Sequence, residues 1–335
     1  MKKLPILTGF LLLLTFATSC KKEGCTNENA LNYNEEAKKD DGSCEYAPVA
    51  DFKSFYDEQR ASNTQTFTGD ASSGIAVTGV NGTQVFIAPN GLKTTSGAIY
   101  SGSVTIELLE VLKPGDMILN NAPTVSDGQL LVSGGEIELR VYGSSGEILR
   151  PVYNQVSVYV PTSSLDSEMD LFLGTEDPMS GDISWEMSVD TVVVIDTTVV
   201  DTFGGPVGDY YYYNWPMDDF GWINCDYFYE DPSPKTTLTV KVDPETHIYS
   251  NTQVFFYVPS INSVASLYWF TGLEEDEFQI SNLPIGLTGT IVCISKIDDD
   301  YYSSFDAITL SMDHEEDVIL TVTTLADFEA AIDDL

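Results

Sequence analysis

Basic residues are scarce in this sequence: 15 Lys+Arg stand against 52 Asp+Glu in 335 residues, a formal charge of −37. A chain this acidic repels phosphate backbones and anionic headgroups, which excludes nucleic acid as a partner. The charge favours solubility and attracts cations, but it names no ligand. Histidine is scarcer still, with two in the whole chain. His247 sits beside Pro244-Glu245-Thr246 in a turn-like stretch, and His314 lies in Asp313-His314-Glu315-Glu316; neither has a His or Cys at zinc-ligand spacing. There is no nucleophile elbow, phosphate-binding loop or dinucleotide glycine pattern. Gly143-Ser144-Ser145-Gly146 reads as a hairpin turn. Adjacent carboxylates such as Asp218-Asp219, Glu274-Glu275 and Asp298-Asp299-Asp300 are common, as expected of a solvated surface with 52 acids. Long apolar runs are also missing after the first twenty residues, so no later segment reads as a transmembrane helix.

Those first residues divide as an export signal does. Lys2 and Lys3 give a positive start, Leu4 to Phe16 an apolar stretch, and Ala17-Thr18-Ser19 a run of small residues before Cys20. An apolar run this short falls below the roughly 20 residues that span a bilayer and fits a cleaved signal, residues 1–19. Small residues before a cysteine resemble the lipobox of bacterial lipoproteins, although Ala17 stands where leucine is commonest. That resemblance implies acylation of Cys20, palmitate included, and a tether in the outer membrane at about 0.8 kcal/mol per buried methylene. Whether the protein faces the periplasm or the cell surface is left open. Loss of Lys2 and Lys3 with the signal takes the charge from −37 to −39.

With Cys20 assigned to lipid, Cys25, Cys44, Cys225 and Cys293 remain, an even number for an oxidising compartment. Three pairings are possible, and the local one, Cys25–Cys44 with Cys225–Cys293, is the simplest. Residues 24–46 are too polar to form a core, and a Cys25–Cys44 bond is worth about 3 kcal/mol to a loop of this size. The run Gly24-Cys25-Thr26, then Asn32-Tyr33, then Asp40-Asp41-Gly42-Ser43-Cys44 resembles a short module of secreted and surface proteins of Bacteroidota-type bacteria. That module is similar to thrombospondin type 3 calcium repeats, which implies calcium as a candidate ligand and Asn32, Asn34, Asp40 and Asp41 as its oxygen donors. The spacing departs from an EF-hand. The competing reading is a polar loop whose Asx residues shape turns. No other cofactor is expected.

Past Pro48 a helix-like stretch, Phe52 to Arg60, leads into a long tract of alternating residues. Val104, Ile106 and Leu108 alternate with Ser103, Thr105 and Glu107, Ile137, Leu139 and Val141 with Glu138, Arg140 and Tyr142, and Val156, Val158 and Val160 with Ser157 and Tyr159. Separated by turn signals such as Asn81-Gly82 and Asn90-Gly91, such runs predict half-buried antiparallel strands. The fold class is all-β: two antiparallel sandwich-like domains after the signal peptide and the small disulfide module (20–49). The pieces Gly82-Thr83-Gln84-Val85, Gly102-Ser103-Val104, Pro114-Gly115-Asp116, Gly134-Gly135-Glu136-Ile137, Val156 to Pro161, Met169 to Gly174 and Ile183-Ser184-Trp185 resemble the β-sandwich domain of ankyrins and netrin receptors in a bacterial version. The resemblance covers about 70–187 and carries over no partner-binding residue.

The first domain is accordingly placed at 50–189, a linker rich in Asp, Thr, Val and Tyr at 190–220, and a second β-domain at 221–335 with a short closing helix from Leu325 to Leu335. Gly221-Trp222-Ile223-Asn224-Cys225-Asp226 resembles a signature opening that second domain in the same bacterial family. The quasi-repeat of residues 190–202 reads as an extended linker or edge strand with Asp190, Asp196 and Asp201 as gatekeepers against aggregation. Tyr210, Tyr211, Tyr212, Tyr213, Trp215 and Trp222 form the candidate contact surface; the same rings could instead fill a domain junction. The expectation is a non-catalytic, outer-membrane-anchored ectodomain for adhesion, glycan or protein binding, or envelope structure. The alternative is a secreted carbohydrate-active or other hydrolase, whose two carboxylates need not be neighbours in sequence.

Overall fold

A computed structural model describes residues 22, 24, 33–39, 52–162, 166–178, 180–188, 194–196, 211–217, 219–243, 247–270 and 272–335. At 194–196, 211, 212 and 214 the description is of the backbone alone. The signal segment, Cys20, Cys25, Cys44, Asn32, Asp40, Asp41 and Tyr210 lie outside the described residues.

The chain forms two compact units, Met1–Glu45 and Tyr46–Leu335. In the first, the Lys38 amide donates to the Lys22 carbonyl (2.8 Å) and the Gly24 amide to that of Lys39 (3.2 Å). Asn34 closes the turn between them. Its side-chain oxygen accepts from the Glu36 amide at 3.2 Å, and its carbonyl from the Ala37 amide at 2.8 Å. That oxygen is engaged in shaping the backbone, as in an Asx turn.

The second unit is all-β, and across the described structure strands take 52% and helices 12%. Four sheets account for most of it. Sheet I runs in the order Val194–Asp196, Tyr211–Pro216, Val156–Thr162, Gln84–Ile87, Ile75–Thr78. Sheet II runs Gln65–Asp70, Ser103–Val111, Gln129–Gly143, Gly221–Phe228, Asp170–Glu176, Ile183–Met187, with Val125–Ser126 alongside its third strand. Sheet III is Ser263–Leu267, Thr252–Val258, Thr288–Ile297, Asp300–Thr309, Thr321–Thr323, and sheet IV is Glu277–Pro284, Lys235–Lys241, His314–Asp317. Pairing is antiparallel except where Lys235–Lys241 meets His314–Asp317.

Three apolar layers separate these sheets. The first lies between sheets I and II, where Val85, Val158, Tyr213 and Trp215 meet Val104, Ile106, Ile137, Leu139 and Ile223. In the second, sheets II and III contribute Leu109, Phe172, Trp185 and Trp222 against Phe255, Tyr257, Val292 and Ile294. The third places Val254, Phe256, Ile291 and Cys293 of sheet III against Leu238, Val240 and Phe278 of sheet IV. Successive side chains of a strand point to opposite faces. Phe255 and Tyr257 therefore serve the second layer while Val254, Phe256 and Val258 serve the third. Strands covered on both faces lose the polar alternation of a half-exposed sheet, which is why Val254 to Val258 is an unbroken apolar run.

Three helices enter the second layer. Helix α1 (Phe52–Asn63) buries Phe52, Phe55, Tyr56 and Arg60, a spacing that keeps one face inward. Helix α2 (Pro114–Leu119) begins with proline at its first turn. Helix α3 (Leu325–Asp333) is capped by Thr324, whose hydroxyl oxygen accepts from the Asp327 amide at 3.1 Å. It buries Phe328 and Ile332 against α2. Gly115 allows that contact, because a Cβ there would stand 3.0 Å from the Ile332 carbonyl oxygen.

Two expectations about organisation are corrected. Gly221–Phe228 does not open the second domain; it pairs with Gln129–Gly143 and Asp170–Glu176 in the middle of sheet II. The expected linker 190–220 likewise contains Tyr211–Pro216, an interior strand of sheet I. Val194–Asp196 is an edge strand of that sheet, one of the two readings given for it. The Cys225–Cys293 bond is not formed either. Both are buried free thiols, Cys225 in the first apolar layer and Cys293 in the third, with sheets II and III between them.

Candidate functional site

The rings singled out from the sequence are interior. Tyr213 and Trp215 are 1% exposed and fill the first layer, and Trp222 packs edge-on against Trp185 in the second at a centroid distance of 6.3 Å. These three hold layers together and offer no contact face. The side chains of Tyr211 and Tyr212 and the whole of Tyr210 are outside the description.

Sheet II also buries acids. Ile223 and Cys225 face the first layer, and strand alternation points Asn224 and Asp226 to the other side, next to Glu136, where the partner strand bulges at 134–135. All three are fully buried. The Asn224 amide donates to Asp226 Oδ2 (2.7 Å) and to Glu136 Oε1 (3.3 Å), and the Gly134 amide to Asp226 Oδ1 (3.2 Å). Burial, reinforced by the Asp226 charge, holds the Glu136 carboxyl well above the usual range. Asp226 is pushed up to about 8, again chiefly by burial. The amide bridges the two carboxyls in a pocket closed to solvent, with Glu136 Oε2 and Asn224 Oδ1 left without a hydrogen-bond partner among the described residues.

A second polar feature ties α1 to sheet II. Arg60, nearly buried, donates to the carbonyls of Asn120 (Nε, 2.9 Å) and Gly181 (Nη2, 2.7 Å) and pairs with Glu176 at 3.0 Å. Its guanidinium lies 5.1 Å above the Trp222 ring, a cation–π distance. Glu110 performs a similar task at the sandwich rim. Its carboxylate accepts from the amides of Asn81 (2.9 Å) and Thr83 (2.8 Å) and from Gln65 (2.8 Å), fixing the Asn81-Gly82 hairpin.

Where α1, the turn before Ile183–Met187 and the edges of sheets III and IV converge, a narrow crevice of about 20 Å³, room for about one water, opens to solvent. Tyr56, Asp182, Tyr249, Gln253 and Trp269 are prominent in its walls. Tyr249 and Trp269 are stacked, their centroids 4.2 Å apart and their planes 16° from parallel. Both are pinned from behind: the Trp269 indole donates to the Glu274 carbonyl at 3.0 Å, and the Tyr249 amide to that of Glu275 at 2.9 Å. Deeper in, Asp182 accepts from the Asn121 side chain, and its pKa is raised mainly by burial. The Tyr56 hydroxyl is buried, with no hydrogen-bond partner among the described residues. Burial first, and the Asp182 charge second, push its pKa well up, so it keeps its proton.

No family model and no curated protein matches this sequence. The site therefore has to be read from its own chemistry. Its rings were missed in the sequence because they come from three distant segments. Tyr268-Trp269-Phe270 was the available signal, an aromatic run at the end of a strand. Among the described residues no group of His, Cys, Asp and Glu has metal-binding geometry.

Proposed function

We propose that this chain is a lipoprotein ectodomain, tethered to the outer membrane through Cys20, which binds a glycan or protein partner without transforming it. The placement of the acids carries this reading. The crevice has room for about one water and holds one carboxyl among its described lining, Asp182. Acid–base hydrolysis of a glycosidic bond generally needs two carboxyl groups facing each other across the substrate, about 5 to 9.5 Å apart. The acids whose protonation is most strongly altered, Glu136 and Asp226, are instead sealed inside the protein. The lipobox-like Ala17-Thr18-Ser19-Cys20 and the resemblance to bacterial surface modules support the tether.

Mass spectrometry of the mature N-terminus, with a hydrolase panel run on the same preparation, tests both halves. An acylated Cys20 and no turnover are expected. An unmodified Cys20 sinks the tether, and turnover abolished by Asp182→Asn sinks the binding assignment.

A further inference from the structure

Resting on the Cys20 tether proposed above, we infer that the outward face of the small sheet Leu92–Thr94 with Leu149–Pro151 lies against the membrane and orients the tethered protein. Its partner is a phospholipid surface. Lys93 and Arg150 meet headgroup phosphates, and Ile99 and Ile148 sit at the boundary with the acyl chains.

The register builds this face. Lys93 pairs with Arg150 on one side and with Ile99 on the other. Residues directly opposite one another share a face, and Ile148, two residues from Arg150, shares it too. The other face is inward, because Leu92 and Leu149 belong to the first apolar layer. Ile99 and Ile148 are accordingly turned out, 56% and 61% exposed.

Charge and apolarity on this face both ask for a partner. With 52 acids against 15 bases, the cross-strand neighbour of an outward lysine should be acidic, yet Lys93 stands opposite Arg150. Like charges so placed destabilise a sheet. The Lys93 ammonium has no ion-pair or hydrogen-bond partner among the described residues, and the Arg150 guanidinium approaches Asp219 no closer than 3.9 Å. Glu147, the nearest acid in sequence, is turned into its own hairpin, where it accepts from the Ser145 amide at 2.9 Å. An ammonium and a guanidinium left unanswered side by side suit phosphate oxygens. The flanking isoleucines gain by leaving water.

The size of the face selects the partner. Strands lie about 4.8 Å apart and alternate residues about 7 Å, so the four side chains cover on the order of a few hundred Å². A stable protein–protein contact takes about 800 Å² from each side. A bilayer is fluid and asks for no matching shape. An anchor also holds it within reach, at effective concentrations of about millimolar, where a weak contact is filled. A net charge of −37 repels anionic headgroups, which gives a small basic face disproportionate weight in deciding which side turns towards them.

Methyl NMR on the lipidated full chain tests this, in bilayer discs of phosphatidylglycerol and phosphatidylethanolamine doped with a nitroxide-headgroup lipid, one chain per disc. The δ1 methyls of Ile99 and Ile148 should lose most of their intensity to the nitroxide. That of Ile319, 82% exposed between the third-layer residues Val318 and Leu320, should keep it. Lys93→Glu combined with Arg150→Glu exchanges one like-charged pair for another, so the fold is kept. It should weaken the contact about tenfold or more and restore the lost signal. Equal loss at all three methyls, loss greatest at Ile319, or no response to the charge reversal would overturn the inference. Loss seen only with several chains per disc would assign the face to a second copy and overturn it too. A chain that carries no acyl group and stays out of the discs would sink the tether itself, and the inference with it.

Discussion

Glu136 and Asp226 illustrate how a single residue type takes opposite roles in one acidic protein. On the surface a carboxylate is solvated and cheap to keep ionised; inside sheet II it is cheaper to keep the proton. The folded chain therefore holds protons on these groups at pH values where the unfolded chain, with carboxyls near pKa 4, has released them. Because the unfolded state binds fewer protons, stability falls as pH rises. For Asp226 the window runs from about pH 4 up to its folded value of about 8. The stability is fully present below the window. Within it each such group contributes a slope of up to about 1.4 kcal/mol per pH unit. Glu136→Gln removes one of these titratable groups and keeps an oxygen for the Asn224 amide. Thermal melts of that variant between pH 5 and 9 should fall less steeply than those of the parent. Parallel curves would show that the carboxyl is ionised and stabilised in some other way.

At the scale of elements, the local pattern was easier to read than the pairing. Alternation at Val104, Ile106 and Leu108 and the Asn81-Gly82 turn marked strands and a hairpin correctly, since both are set by neighbours in sequence. The helix read as Phe52 to Arg60 extends to Asn63. Helix α2 was not foreseen: it has six residues, too short to establish a period. Gly221–Phe228 was placed in the wrong half for a different reason. It is covered on both faces, so Trp222, Asn224 and Asp226 alternate with Ile223 and Cys225 without an outward polar side to orient it. Its partners lie some fifty and ninety residues upstream, and that non-local pairing has no local signature. The same misplacement made Cys225 and Cys293 look like a disulfide within one domain. Burial raises both thiols, Cys293 to about 12 and Cys225 well above its ordinary value, so neither presents a thiolate. Both should resist iodoacetamide at pH 8 in the native protein and react once it is unfolded. A Cys225–Cys293 peptide on a non-reducing map would overturn this.

The unit Tyr46–Leu335 stacks four sheets around three apolar layers, and the middle layer decides its character. Trp222, Trp185 and Phe172 from one side and Phe255, Tyr257 and Val292 from the other join residues 52–229 to 235–335 through one buried layer. Buried hydrogen bonds cross the same seam: Thr124 Oγ1 lies 2.7 Å from Ser263 Oγ, and the Val264 amide donates to Thr124 Oγ1 at 2.8 Å. The crevice exists because of that fusion, since α1 and the 180–182 turn supply one wall and Tyr249, Gln253 and Trp269 the other. None of this was legible from a sequence divided into two domains and a linker. Scanning calorimetry of the unit 46–335, expressed without its tether, tests the fusion most directly. A single transition with equal calorimetric and van 't Hoff enthalpies is expected, because losing either half strips the middle layer from the other. Two separate transitions, one for each half, would contradict it.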